Sequence, residues 1–184
     1  MRVALVVGHR NGAPGAVAAD GMREYDYVDE LAQMLAGRLD CHKARVFWRS
    51  DDDDGRSEPA RIRAMVEAHV NPWSPDLVVS LHVNAAEDPR ALGAEALHHP
   101  GSERGQEAAR VFASLMAHAV DTRNRGAKPR DDLTVLRATA APAVLLEPFF
   151  LSNPADRDRG RRYKPLLADA ITHGVHVLGA RWGL

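Results

Sequence analysis

Residues 6–16 read VVGHRNGAPGA: an apolar run that stops at Gly8, an imidazole at His9, then a loop rich in glycine with a proline in it. The run begins at Val3, and a short, uninterrupted apolar stretch bounded by glycine is the pattern of a strand covered on both faces. A strand ending on Gly8 and His9 carries that imidazole to the carboxyl edge of a sheet, where open α/β folds assemble their sites. What the ring does there depends on which other side chains reach the same edge.

Beyond this first strand, strands and helices alternate. Over 24–39 the residues Val28, Leu31, Ala32, Leu35 and Leu39 recur at helical spacing, which predicts an amphipathic helix. KARVFW (43–48) predicts a second strand. DDDDGRSEP (51–59) predicts a polar turn whose aspartates Asp51, Asp52, Asp53 and Asp54 form a solvated loop, and Ser57 with Pro59 starts a second helix through Val70. PDLVVSLHVNA (75–85) predicts the third strand, LGAEALHH (92–99) the fourth, and SERGQEAARVFASLMAHAV (102–120) a helix. LTVLRAT (133–139) and PAVLLEPFF (142–150) predict two more strands. Residues 152–182 predict one long helix, capped by Ser152 or Asn153 with Pro154 at its first position. The expectation is a single α/β domain over 1–184: a mostly parallel, twisted sheet of about six strands with helices on both faces.

Composition narrows the function. The chain has 184 residues, enough to bury a core without staples. Lys+Arg 24 against Asp+Glu 25 leave a formal net charge of -1, so no global field favours nucleic acid or an anionic membrane. No run approaches the roughly 20 apolar residues of a membrane span, so no stable membrane insertion is expected. The single cysteine, Cys41, has no disulfide partner and is expected to be a small buried hydrophobe. The opening MRVALVVGH is too short for a signal-peptide core and reads as the first strand, which predicts a soluble protein without an address of its own.

Four polar residues border or interrupt the apolar runs: His9 after the first strand, His82 in the tail of the third, Glu147 at the end of AVLLE, and Glu24 at the opening of the first helix. In a parallel sheet these positions share one edge. Two imidazoles and a carboxylate are a common set for catalytic zinc, which keeps a fourth position open, and a second carboxylate nearby would take a proton from water. Other features read more plainly. His173 and His176 share a helix face with no acidic or cysteine partner beside them and are expected to pack or face solvent, as is the basic run RDRGRRYK (157–164). His98 and His99 end the fourth strand, one of them within reach of the cleft, and are left without a role.

The segments VGHRNGAPGA, GMREYDYVDELAQML, DLVVSLHVNAA, GAEALHH and TVLRATAAPAVLLEPFFLSNPAD occur in the order found in zinc-dependent N-acetylmuramoyl-L-alanine amidases of the Amidase_3 type, and the chain resembles that family over nearly its whole length. The segments around SLHVNA and EPFFLSN are the specific ones. The resemblance implies Zn2+ as cofactor, His9, Glu24 and His82 as its ligands, and Glu147 as the catalytic residue. Arg137 and Asn84 lie near the same edge and are candidates for binding the substrate carbonyl or stem carboxylates, with a solvated strand end and a turn as the alternative readings. It implies a peptidoglycan hydrolase that cuts between the lactyl group of N-acetylmuramic acid and the L-alanine of the stem peptide. Another zinc peptidase of similar fold and a noncatalytic wall-binding module are the alternatives. Two positions depart from the family pattern: GHRNG replaces GHGG, and Pro148 follows the glutamate. Family members that await an activator carry a helical insertion after the strand corresponding to GAEALHH. Here PGSERGQEAARVFA follows at once, which predicts an open cleft and no obligatory protein activator. Without a secretion signal the expected setting is cytoplasmic until release to the wall, as for a phage lysin, or a mature fragment of an exported protein.

Overall fold

The structure, a computed structural model, describes residues 1–51 and 54–184; the expected loop positions Asp52 and Asp53 lie outside the described residues. Six strands form one sheet: β1 (Arg2–Val7), β2 (Lys43–Phe47), β3 (Leu77–Leu81), β4 (Ala94–His98), β5 (Asn124–Pro129) and β6 (Ala143–Glu147), in the order β2-β1-β3-β6-β4-β5. The helices are α1 (Glu24–Arg38), α2 (Glu58–Met65), α3 (Asn71–Trp73), α4 (Glu103–Ala119), α5 (Thr134–Ala138), α6 (Pro154–Arg162) and α7 (Lys164–Trp182), with a π-helical stretch Val66–Val70 joining α2 to α3.

Alternate residues of the central strands feed two separate cores, as expected when both faces of a sheet are covered. Leu5, Val79 and Leu146 face α1, α4 and α7, where Leu31, Phe112 and Ile171 are fully or almost fully buried, with Phe149 from the connection after β6 buried among them. Ala4, Val6, Val78 and Leu145 face the other way, onto Met65, Val66 and Val70 and onto Val135 and Leu136 of α5.

The sheet is mostly parallel, as expected, with one antiparallel pair that makes it mixed. Strands β1, β2, β3 and β6 run parallel, and β5 is parallel to β4, but β4 is antiparallel to β6 with Glu95 opposite Glu147 and His98 opposite Val144. A parallel return needs a crossover, usually helical. No helix lies between Leu81 and Ala94, so the chain turns at the carboxyl edge of β3 and comes back. His98 and His99 therefore end their strand at the edge opposite His9, and neither reaches the cleft.

Three element assignments change. LTVLRAT is the helix α5, not a strand: Val135 and Leu136 bury side by side, and a short apolar run is ambiguous between the two periods. The sixth strand is instead NRGAKP, an edge strand half open to solvent, whose glycine, proline and lack of apolar alternation hide it. The expected C-terminal helix is two, α6 and α7, broken at Tyr163 ahead of Pro165, which has no amide to continue the ladder. Asn153 does cap α6, accepting the Asp156 amide at 3.0 Å. In the basic run, Arg157 is buried and, with Arg161, pairs with Asp20, fastening the loop that precedes α1.

Cys41 is exposed on the turn between α1 and β2, where Leu39 closes the core in its place. Its sulfur lies 3.4 Å from His176 Nε2, so that histidine does have a cysteine neighbour, brought from 135 residues away. Among the described residues no helix is long and apolar enough to cross a membrane.

Candidate metal centre and active site

Three parallel strands and one helix deliver the site. After β1, the Gly8 amide donates to Leu81 O at 2.9 Å, locking the exit of β1 to β3. A Cβ at Gly8 would lie 2.3 Å from that carbonyl and 2.7 Å from the His82 ring, so only glycine admits the imidazole there. His9 then turns into the left-handed region at φ 65, a conformation that costs a non-glycine residue about 1–2 kcal/mol and is tolerated where the surroundings impose it. Arg49 Nε donates to His9 O at 3.1 Å, and Arg49 is itself tied to Glu58 at 2.8 Å, which holds the turn in place.

Glu24 opens α1, where the helix terminus favours a carboxylate. Its Oε1 accepts the Val83 amide at 3.0 Å and its Oε2 the Ala16 amide at 3.1 Å. The remaining lone pairs meet the histidines, with His82 Nδ1 3.0 Å from Oε1 and His9 Nε2 3.1 Å from Oε2. Burial opposes ionisation of Glu24, yet hydrogen bonding to His82 and His9 outweighs it and holds the carboxyl far below its ordinary range. Burial pushes His82 down, toward the neutral imidazole, against the pull of Glu24.

This donor set fits zinc. One donor atom from each of His9, Glu24 and His82 lies within 4.8 Å of the others. Bonds of about 2.0–2.2 Å at a tetrahedral ion place neighbouring ligand atoms about 3.3 Å apart, close to the two His–Glu separations. A Cβ at Gly15 would sit 2.5 Å from Glu24 Oε2 and 2.7 Å from His9 Nε2, so the loop leaves that space to the ligands.

Glu147 ends β6, one strand over from His82. The register pairs Leu81 with Leu146, and the His82 amide donates to Leu146 O at 3.0 Å, so the two side chains leave neighbouring strands at the same level. Asn84 Nδ2 donates to Glu147 Oε2 at 2.5 Å and to Glu95 Oε1 at 3.1 Å. Glu95 is held in turn by Arg125 at 2.5 Å and Lys128 at 2.6 Å. Burial first, then the Glu95 carboxylate and Glu24, push Glu147 up to about 8, against the attraction of Arg130.

His9, Glu24, His82, Asn84 and Glu147 thus come together as the sequence suggests. Arg137 does not sit at a strand end: it is exposed on the last turn of α5, whose first residues border the cavity beside Gly8 and His82. Sequence reasoning passed over Glu95, Arg125 and Lys128. A carboxylate inside an otherwise apolar strand was the available signal for Glu95, but only the antiparallel turn of β4 sets it against Glu147.

Residues 3–177 match the Amidase_3 family, N-acetylmuramoyl-L-alanine amidase. The uncharacterized protein YqiI of Bacillus subtilis is 29% identical over 178 residues, covering 94% of this chain and 82% of YqiI. The probable cell wall amidase LytH of Staphylococcus aureus is 27% identical over 180 residues, and the match spans 95% of this chain but 57% of LytH. Among solved structures, an N-acetylmuramoyl-L-alanine amidase from Clostridium difficile 630 superposes with a TM-score of 0.80 at 26% identity, covering 96% of this chain and 95% of that one. The CwlD amidase of Clostridioides difficile, solved in complex with the GerS lipoprotein, shares the fold with a TM-score of 0.83 at 23% identity, over 97% of this chain and 98% of its own. The match takes in every residue of the His–Glu–His set and Glu147, and the chain belongs to the Amidase_3 family, the N-acetylmuramoyl-L-alanine amidases that hydrolyse peptidoglycan.

Proposed function

We propose that this chain hydrolyses the amide between the lactyl carbonyl of N-acetylmuramic acid and the L-alanine of the stem peptide, with zinc held by His9 Nε2, Glu24 and His82 Nδ1 and with Glu147 as the proton carrier. The observation behind this reading is the recessed carboxylate of Glu147, pushed up to about 8, one strand from an intact His–Glu–His set. Zinc bound there supplies Lewis-acid polarisation of the scissile carbonyl and acidifies an incoming water. The chain does the rest. Asn84 fixes Glu147 through Oε2, and the Glu147 carboxylate takes the proton as water oxygen attacks the carbonyl carbon. Glu147 then returns that proton to the alanine nitrogen as the carbon–nitrogen bond breaks, yielding a lactyl carboxylate and a free stem peptide. A carboxyl poised near neutrality suits both steps. Arg137, a turn beyond the residues that border His82, is our candidate for meeting a stem-peptide carboxylate at the rim.

The β4–α4 connection, His98 to Glu103, lies at the edge away from the zinc ligands, whereas the connections that leave the zinc edge at 8–23, 82–93 and 148–153 contain no helix. On that ground we propose activity without a protein activator. The test is to digest purified sacculi with the zinc-loaded chain alone and analyse the products by mass spectrometry. Intact sugars with free stems from L-alanine are expected, and Glu147→Gln should retain its metal while losing about 100-fold or more in turnover. Cleavage within the peptide, or full activity of Glu147→Gln, overturns the assignment; silence relieved only by added host extract overturns the proposal about activation.

A further inference from the structure

A second cluster of metal-donor side chains lies at the opposite edge of the sheet. Cys41 and His42 occupy the turn between α1 and β2, and His176 comes to them from α7. Cys41 Sγ is 3.4 Å from His176 Nε2, the two histidine rings lie 4.9 Å apart between centroids, and one donor atom from each of the three residues falls within 4.8 Å of the others. An independent observation points the same way: His42 Nε2 is buried and has no hydrogen-bond partner among the described residues. Leaving such a nitrogen unmatched is unfavourable, and native structures avoid it unless something else fills its lone pair or takes its proton.

The turn that presents these groups is well tied. The His42 amide donates to Leu39 O at 2.9 Å and the Lys43 amide to Met1 O at 3.1 Å, so the donors are held in register with the start of the sheet. Zinc bonds of about 2.3 Å to sulfur and 2.0 Å to nitrogen set an S···N edge of about 3.5 Å in a tetrahedron, close to the Cys41–His176 separation. One thiolate and two imidazoles, with no carboxylate among them, select a thiophilic or borderline ion over magnesium or calcium.

We propose that Cys41, His42 and His176 form a second cation site, distinct from the amidase centre, which takes one zinc-like divalent ion and leaves its fourth position to solvent. The two sites stand at the two ends of β1: Lys43 pairs with Arg2, while His9 follows Val7. At about 3.3 Å per residue they are on the order of 20 Å apart. An ion here clips the α1–β2 turn to α7 across 135 residues of sequence and so fastens the edge strand β2.

Cobalt(II) tests the proposal, because thiolate-to-cobalt charge transfer in the near ultraviolet reports sulfur ligation, Cys41 is the only cysteine, and the amidase centre has no sulfur. Titrated under a phosphine reductant, the full chain should develop that band and saturate it within two ions per chain, the other ion occupying the amidase centre. Cys41→Ser should abolish it, His176→Ala should weaken cobalt binding at that site tenfold or more, and zinc should bleach it. Metal analysis should find one zinc fewer in Cys41→Ser, with muropeptide hydrolysis unchanged. Four results overturn the proposal: no band, a band needing large cobalt excess, a band equally strong with His176→Ala, or cobalt-driven dimerisation through Cys41.

Discussion

Replacing Glu95 by Gln should move the acid limb of amidase activity to lower pH. Glu95 and Glu147 are directly opposed on antiparallel β4 and β6, and one Asn84 nitrogen donates to both, at 3.1 and 2.5 Å. Directly opposed residues of an antiparallel pair typically stand about 5 Å apart, and two unit charges at that spacing and an effective dielectric of about 20 repel by about 3 kcal/mol, equivalent to about 2 pH units. Arg125 and Lys128, each on Glu95 Oε2, offset part of that repulsion while Glu95 is present. Once Glu95 is neutral the same two cations act on Glu147 in the same direction as the lost repulsion. The acid limb of kcat/KM, which reports the base in the free enzyme, is therefore expected to fall by about 1–2 pH units. Bound zinc displaces the parent and variant profiles together and leaves their difference. The assay is kcat/KM of zinc-loaded protein on a defined muropeptide across the acid and neutral range. Arg125→Gln serves as the opposite perturbation, since it frees the charge of Glu95 and should raise the limb. Limbs that stay in place in both variants, or move the same way, refute the electrostatic reading of this cluster.

His82→Ala and Glu24→Ala should each lower zinc occupancy at the amidase centre, read by metal analysis after dialysis against a weak chelator; undiminished binding means the ligand set is wrong. In the metal-free chain, Glu147 is raised from 4.5 to about 8, so its contribution to stability is complete below about pH 4.5 and is lost as pH rises through 8. Thermal melts should therefore show Glu147→Gln flattening the decline between those values. Glu24, held low, acts in the opposite sense, and its contribution is lost as pH falls. Asp156 is fully buried and accepts from the Gly93 amide at 3.0 Å, the Phe150 amide at 2.8 Å and the Thr122 hydroxyl at 2.5 Å. Asp156→Ala strands two buried amides and should cost about 3–5 kcal/mol in urea unfolding, whereas a loss below about 1 kcal/mol means water or rearrangement replaces the carboxylate.

The central strands and the strand-end positions of His9, His82 and Glu147 are legible in the sequence, because both are written in local patterns. VALVV, LVVSL and AVLLE are short, largely apolar runs whose length and β-branched content favour a doubly covered strand, and a polar residue stands at or within two positions of the end of each, where the strand direction sends it to one edge. That pattern alone places His9, His82 and Glu147 together, while the identity of Glu24 as a ligand comes from the resemblance, since nothing in its spacing separates a ligand from a proton acceptor. The sequence also carried the α1 and α4 helices and the Asn153 cap, where periodicity and capping chemistry act within a few residues. Tertiary structure decided what depends on partners far away in the chain. NRGAKP is a strand only because β4 offers it an edge, and LTVLRAT is a helix because its apolar residues pack on the α2 face of the sheet rather than within it. The reversal of β4 follows from a connection without a helix, and it alone turns Glu95 toward Glu147 and His98 away. Cys41 and His176 meet because the turn after α1 and the helix α7 pack at the same end of the sheet. Contacts between segments 135 residues apart leave no local period to read.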